Sequence, residues 1–355
     1  MSVRKDPRGR LGAPFLLLAI GLGASGCAGL PERHRIAPEH ELRVPGSDLV
    51  DLAALRADDG LKRLYLADAR EARILVRAAR EGRRLAEWPL GVPGESRPVA
   101  LAIGERWLLV AERSPPRVRA LDPVSGAVLA ELPAAIGLKA PGALAAWPLR
   151  RGWHTVLVAD LEQVAGQVAP SGAVRVWQMR RRPDGRTHAW RARTLTRDAL
   201  GAPLPPVRAL AEDPEVDLTL VVTEPDGRLH LFRSDGTPLG HLPAGVPDRG
   251  WRRVVAVDCP GGGGFWLALR EDGAIERRGR ADLALEGRSR PLEDARALAW
   301  LGDAEERLVV LLPDRLRWYR PEALGLGSCA AERPQAEGRH SGALEEGEEN
   351  RLAAP

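Results

Sequence analysis

Lysine is nearly missing from this chain. It occurs only as Lys5, Lys62 and Lys139, so 49 of the 52 basic residues among the 355 are arginine. Excess positive charge is small as well. The chain carries a formal +4, and Arg4, Lys5, Arg8 and Arg10 against Asp6 supply +3 of that within residues 1–26, leaving +1 for residues 27–355. A body so close to neutral has no broad basic field to steer a polyanion, and no nucleic-acid partner is expected. Long apolar runs are absent beyond the leader: no later segment has 18 consecutive apolar residues, so none is suited to cross a bilayer as a helix. No long 3.6-residue apolar period with caps occurs before the C-terminal tail, which makes helix scarce. His34, His40, His154, His188, His230, His241 and His340 include no pair at metal-ligand spacing. There is no G-x-S-x-G, and no Ser/His/Asp set is marked by its spacing.

What is present starts with a leader. Arg4, Lys5, Arg8 and Arg10 form a positive segment, and Leu11 to Leu22 an apolar one of signal-peptide length, too short to span a bilayer. Ala24-Ser25-Gly26-Cys27 follows. It resembles the lipobox of bacterial lipoproteins, departing from it at Ala24, where leucine is commoner. The resemblance implies cleavage after residue 26, diacylation of the Cys27 sulfur and a membrane attachment through that lipid. Ala28 in place of aspartate implies an outer-membrane destination on the periplasmic face of the bacterial envelope. The alternative is an ordinary cleaved signal followed by a chance cysteine.

The body repeats. Short apolar runs recur as Leu64–Asp68, Leu108–Glu112, Val156–Asp160, Leu220–Glu224, Trp266–Arg270 and Val309–Pro313, and their last residues are 44, 48, 64, 46 and 43 positions apart. That is the period of a four-stranded propeller blade, and a run apolar on both faces suits a strand sandwiched between blades. Inner strands are predicted at Pro98–Ile103, Gly142–Trp147, Val207–Glu212, Arg253–Asp258 and Arg296–Leu301. Third strands are predicted at Ala72–Val76, Arg117–Leu121, Val174–Trp177, Leu229–Phe232, Ala274–Arg277 and Leu316–Tyr319. Ser125-Gly126, Asp184-Gly185 and Asp235-Gly236 mark hairpin turns. The segments 63–76 and 219–240 resemble NHL repeats, and 117–133 resembles a YVTN or quinoprotein-type blade; together these likenesses cover most of 46–327 and specify a fold better than a function.

The predicted fold is therefore an all-β propeller of six four-stranded blades. The last blade lacks an outer strand, and His40–Val44, which alternates polar and apolar residues, is expected to pair with Leu316–Tyr319 and close the ring. The organisation that follows is a leader at 1–26, a tether at 27–39, the propeller at 40–329, and an acidic tail at 330–355 expected to be disordered. With Cys27 lipidated, Cys259 and Cys329 remain, on neighbouring blades. In an oxidising periplasm they suggest one disulfide, the alternative being two buried thiols.

The chemistry is sparser. Asp68, Glu112, Asp160 and Glu224 end second strands on the face that commonly holds a propeller's ligand mouth. If they converge they could hold calcium or another hard cation and activate water. This arrangement resembles the phytase-like and gluconolactonase-like propellers, a likeness weakened by Arg270 and Pro313 at the corresponding positions and by Asn350 being the sole asparagine. The competing reading has these acids bonding the backbone of the following turn. The loop Leu161–Ser171 extends the same rim, and Arg180–Arg186 is a basic hairpin end. Cys259–Gly264 is glycine-rich but leads into a strand, so it reads as a turn and not a phosphate loop. Trp107, Trp266 and Trp300 are expected to pack between blades. The function predicted is a non-catalytic binding or scaffold module with a protein or envelope partner and no cofactor. The alternative is a metal-dependent phosphatase or lactonase using the four acids.

Overall fold

The first strand of the chain pairs with the last. In the computed structural model β1 (His40–Arg43) lies antiparallel to β23 (Arg315–Tyr319), placing His40 opposite Trp318 and Arg43 opposite Arg315. The structure describes residues 36–329 apart from 56–61, 105–106, 133–136, 149–152, 163–170, 182–186, 241, 244, 260–261 and 303–305. The leader, Cys27, residues 27–35 of the 27–39 tether, the 330–355 tail, most of the 161–171 loop and the tip of the 180–186 hairpin lie outside the described residues.

Six antiparallel sheets follow one another along the chain. Blade one holds β2 (Leu49–Leu55), β3 (Arg63–Asp68), β4 (Arg73–Ala78) and β5 (Arg84–Pro89). Blade two holds β6 (Pro98–Ile103), β7 (Leu108–Arg113), β8 (Pro116–Leu121) and β9 (Val128–Leu132). Blade three is the longest: β10 (Leu144–Pro148), β11 (Trp153–Glu162), β12 (Ser171–Arg181) and β13 (Thr187–Leu195). Blade four has β14 (Val207–Asp213), β15 (Leu218–Thr223) and β16 (Arg228–Phe232), and its outer position is reduced to a bridge between Phe232 and Pro238. Proline has no N–H for a ladder, and residues 238–250 are rich in proline and glycine, which explains the shortened edge. Blade five holds β17 (Trp251–Asp258), β18 (Gly264–Arg270), β19 (Ile275–Gly279) and β20 (Leu285–Arg288). Blade six holds β21 (Ala297–Leu301), β22 (Arg307–Leu312), β23 and, outermost, β1.

The ring is closed. Inner strands neighbour one another in sequence from β2 through β6, β10, β14 and β17 to β21, and β21 meets β2 again. Second strands are buried on both faces, which is why they read as unbroken apolar runs. Hydrophobic cores sit between blades. Leu64, Leu66, Val309 and Trp318 join blades one and six; Trp107, Val156 and Trp177 join two and three; Leu220, Trp251 and Trp266 join four and five. Trp300 meets Phe265 edge-on at 5.2 Å between blades five and six. Trp318 also donates its indole N–H to the Ala79 carbonyl at 2.8 Å, tying the closing blade to the first. A disulfide joins Cys259, after β17, to Cys329, beyond the short 3-10 turn Glu322–Leu324, with 5.4 Å between Cα atoms.

Candidate ligand mouth of the channel

The second-strand acids are held inside their own blades. Asp68 is fully buried. Its Oδ1 accepts from the backbone N–H groups of Asp48 (3.1 Å) and Arg70 (3.2 Å), and its Oδ2 meets Arg73 Nε at 3.0 Å. Glu112 accepts from Ser96 Oγ, Arg119 and Arg117, the last at 3.0 Å. Asp160 accepts the amides of Lys139 (3.0 Å) and Ala140 (2.8 Å) and pairs with Arg175 Nε at 2.7 Å. The strand register explains the pattern. Asp68 stands opposite Arg73 and Glu112 opposite Arg117, while Asp160 stands opposite Ala173 and takes Arg175 from two residues along the same third strand. Blade four departs. Its second strand ends at Thr223, opposite Arg228, where blades one to three carry the acid, and Thr223 is buried. Glu224 is one residue further on, half exposed, and 3.6 Å from Arg208 Nε. The structure does not gather the four acids. Among the described residues no group of three or more His, Cys, Asp or Glu is placed to hold a metal ion.

The channel between the inner strands is lined differently at its two ends. At the start of those strands is a cavity of about 480 Å³ to which every blade contributes: Val50, Val99, Gly142, Val207, Arg253 and Arg296. Arg113, Arg208 and Arg252 also line it, giving five guanidinium groups against two carboxylates, Glu224 and Asp294. The backbone device behind this is a recurring register shift at the start of the inner strand, between Leu49 and Asp51, Pro98 and Ala100, Val207 and Ala209, and Trp251 and Arg253. The extra residue is Val50, Val99, Arg208 or Arg252, and all four face the mouth. Bulges re-aim side chains in this way.

The five arginines are differently engaged. Arg253 pairs with the buried Asp51, whose other oxygen accepts the Leu101 amide at 2.7 Å. Arg296 reaches Asp48 Oδ1 (2.7 Å) and the Leu49 carbonyl (2.8 Å). Arg208 bonds Glu271 and the Pro225 carbonyl. Arg252 has one bond, to the Ala295 carbonyl at 2.7 Å. Arg113 is exposed and has no side-chain hydrogen bond or ion pair among the described residues. A Cβ added at Gly142 would come within 3.9 Å of Arg113 Nη2, so this guanidinium reaches from blade two over the start of blade three.

Beyond the mouth a larger cavity of about 630 Å³ runs along Leu52, Leu101, Leu144, Leu210, Trp147 and Trp300 towards an acidic end. There Arg280 gathers Asp213 (2.8 Å), Asp258 (2.7 Å) and Glu215 (2.9 Å), clamping blade four to blade five. Glu212 lies against this cavity, 7% exposed, with neither oxygen in hydrogen-bonding geometry with a donor among the described residues. Burial pushes its carboxyl up to about 8, while the Ser234 and Thr219 hydroxyls and the Arg193 guanidinium pull the other way. Neither the arginine mouth nor Glu212 stands out in the sequence. The one available signal was the placement of Arg208, Arg253 and Arg296 at the starts of three successive inner strands.

No protein-family model matches the chain, and no curated protein matches it. Solved structures do. A chain of the crystal structure of BBS1N in complex with ARL6DN, soaked with mercury, is 14% identical, with 79% of this chain and 80% of that one covered and a TM-score of 0.50. Its lead-soaked counterpart is 12% identical, with 79% and 81% covered and a TM-score of 0.51. A chain of the mitotic checkpoint complex is 16% identical, with 86% and 98% covered and a TM-score of 0.49. What the first two share with this chain is the fold. This chain is a six-bladed β-propeller.

Proposed function

We propose that the protein is a non-catalytic binding module, a propeller that presents its arginine-ringed channel mouth to a protein or envelope partner. The observation that carries this reading is the disposition of charge. Asp68, Glu112 and Asp160 are spent on arginines and amides within their blades, whereas the mouth presents two cations, Arg113 and Arg252, with at most one bond each among the described residues. A calcium-dependent hydrolase would need the opposite arrangement, with several carboxylate oxygens turned towards one point. The BBS1N structure, in which a propeller of this fold is in complex with ARL6DN, is compatible with the reading. We place the module in the bacterial envelope, lipid-anchored through Cys27 to the outer membrane and facing the periplasm, on the strength of the leader and the Ala24–Cys27 box.

A calcium titration followed by thermal melting tests the functional reading, because a ligand that binds only the folded state raises the melting temperature. The expected result is no shift at millimolar calcium. A rise of several degrees that Glu224→Gln abolishes would replace the binding module with a metal-dependent one. Metabolic labelling with palmitate, lost in Cys27→Ser, tests the anchor.

A further inference from the structure

The arginines at the mouth are not random decoration of a lysine-poor chain. Nearly every cation in this protein is arginine, so residue type alone carries no message; position does. Five line one cavity with two carboxylates, and they come from blades two, four, five and six, so they face the channel axis from several sides. Each guanidinium has five N–H donors in a planar fork suited to paired oxygens. Arg253 uses its fork on Asp51 alone, Arg252 on one carbonyl, and Arg113 on nothing among the described residues. The cavity, about 480 Å³, is in the range of small-molecule sites. The walls between the arginines are Val50, Val99, Gly142 and Val207, side chains that leave the axis open and compete for no hydrogen bonds.

From this geometry we infer that the mouth binds a small molecule bearing two or more phosphate or carboxylate groups, with Arg113 and Arg252 as the donors and with Arg208, Arg253 and Arg296, already paired with Glu271, Asp51 and Asp48, lining the wall between them. One anionic group alone would meet one fork. Two would bridge Arg113 on blade two and Arg252 on blade five, which is why the class is polyvalent. Glu224 and Asp294 disfavour a ligand whose charge is spread thinly, because such a ligand gains little at the forks and meets repulsion at the two acids. The inference rests on reading the propeller as a binding module and assigns that module's ligand.

The test is isothermal calorimetry on the purified protein at about 0.15 M salt, where weak surface attraction is screened. Pyrophosphate and citrate are the small polyvalent ligands, acetate the monovalent control, and phosphatidylglycerol vesicles the lipid-headgroup arm. The expected result is saturable binding of pyrophosphate or citrate and none of acetate. Binding should weaken by roughly tenfold or more in Arg113→Gln, and likewise in Arg252→Gln. It should be unchanged in Arg233→Gln, whose arginine pairs with Asp217 away from the mouth. Because Arg113 is exposed and bonds nothing among the described residues, its variant is expected to fold even if the Arg252 variant does not. No binding of either polyanion, binding indifferent to Arg113→Gln, or binding to vesicles alone would overturn the inference. The calcium melt separates the two proposals. Silence in both experiments removes the ligand and leaves the module, whereas a calcium response without an anion response removes both.

Discussion

At the scale of single residues, Glu212 is the most unusual ionisable group described. Its carboxyl is buried beside the channel with neither oxygen in hydrogen-bonding geometry with a donor among the described residues, and burial, outweighing the Ser234 and Thr219 hydroxyls, raises it to about 8 from an ordinary 4.5. The unfolded chain releases this proton near pH 4.5, while the folded protein holds it until about pH 8. Between those values the folded state binds more protons, so this residue's contribution to stability falls as pH rises, by at most about 1.4 kcal/mol per pH unit, and levels off above pH 8. Glu212→Gln keeps the shape and removes the titration. Its melting temperature relative to the parent should climb steadily from pH 5 to pH 8, and a difference that stays constant over that range would show that Glu212 does not titrate as described. Residue identity was the least legible level of this protein. The acids at the ends of second strands were visible in the sequence, but their direction was not. A side chain on a strand faces one neighbour or the other with period two, so moving from Thr223 to Glu224 exchanges a buried blade position for the half-exposed rim. The partners of Asp68 and Glu112 are arginines five residues on, across a hairpin, and only the register reveals them.

At the scale of elements, the strands themselves were readable. Second strands are covered on both sides, so hydropathy alone locates them, and β6 spans the predicted Pro98–Ile103 without change. The predicted closure by residues 40–44 is also what the structure contains, as β1 on β23. What hydropathy could not reveal is the one-residue shift at the start of the inner strands, because an inserted Val or Arg leaves the apolar pattern almost intact while turning a side chain into the mouth. The closing strand gives a prediction of its own. Leu42 packs against the core shared by blades one and six, and Glu41 pairs with Arg317 at 2.7 Å. Leu42→Asp places a charge in that apolar seam and should release β1, exposing the edge of β23. Loss of several degrees of melting temperature, with a new tendency to self-associate on size-exclusion chromatography, is the expected outcome. An unchanged melt would mean that the ring is held without its closing strand.

At the scale of the whole molecule, several contacts tie the late part of the chain to earlier blades, and two of them have effects of their own. The Cys259–Cys329 bond is one; it spans 70 residues and ties the last segment to blade five. Closing a loop of that length removes entropy worth about 4 kcal/mol from the unfolded chain. Reduction, or Cys329→Ser, should therefore lower the melting temperature by several degrees without changing the far-ultraviolet circular dichroism of the folded state; an unaltered melt would remove the bond from the account of stability. The other joint is the pairing of β1 with β23, and it has a consequence in time. Glu41 and Arg317 are 276 residues apart. At a synthesis rate of about 5–20 residues per second, the earliest strand of the propeller waits roughly 14–55 s before its partner exists. Through that interval five blades can assemble, but an edge stays open on each side of the gap. Birth of the ring is thus a single late event, and any nascent chain that stops short of residue 315 is an arc with a strand to spare.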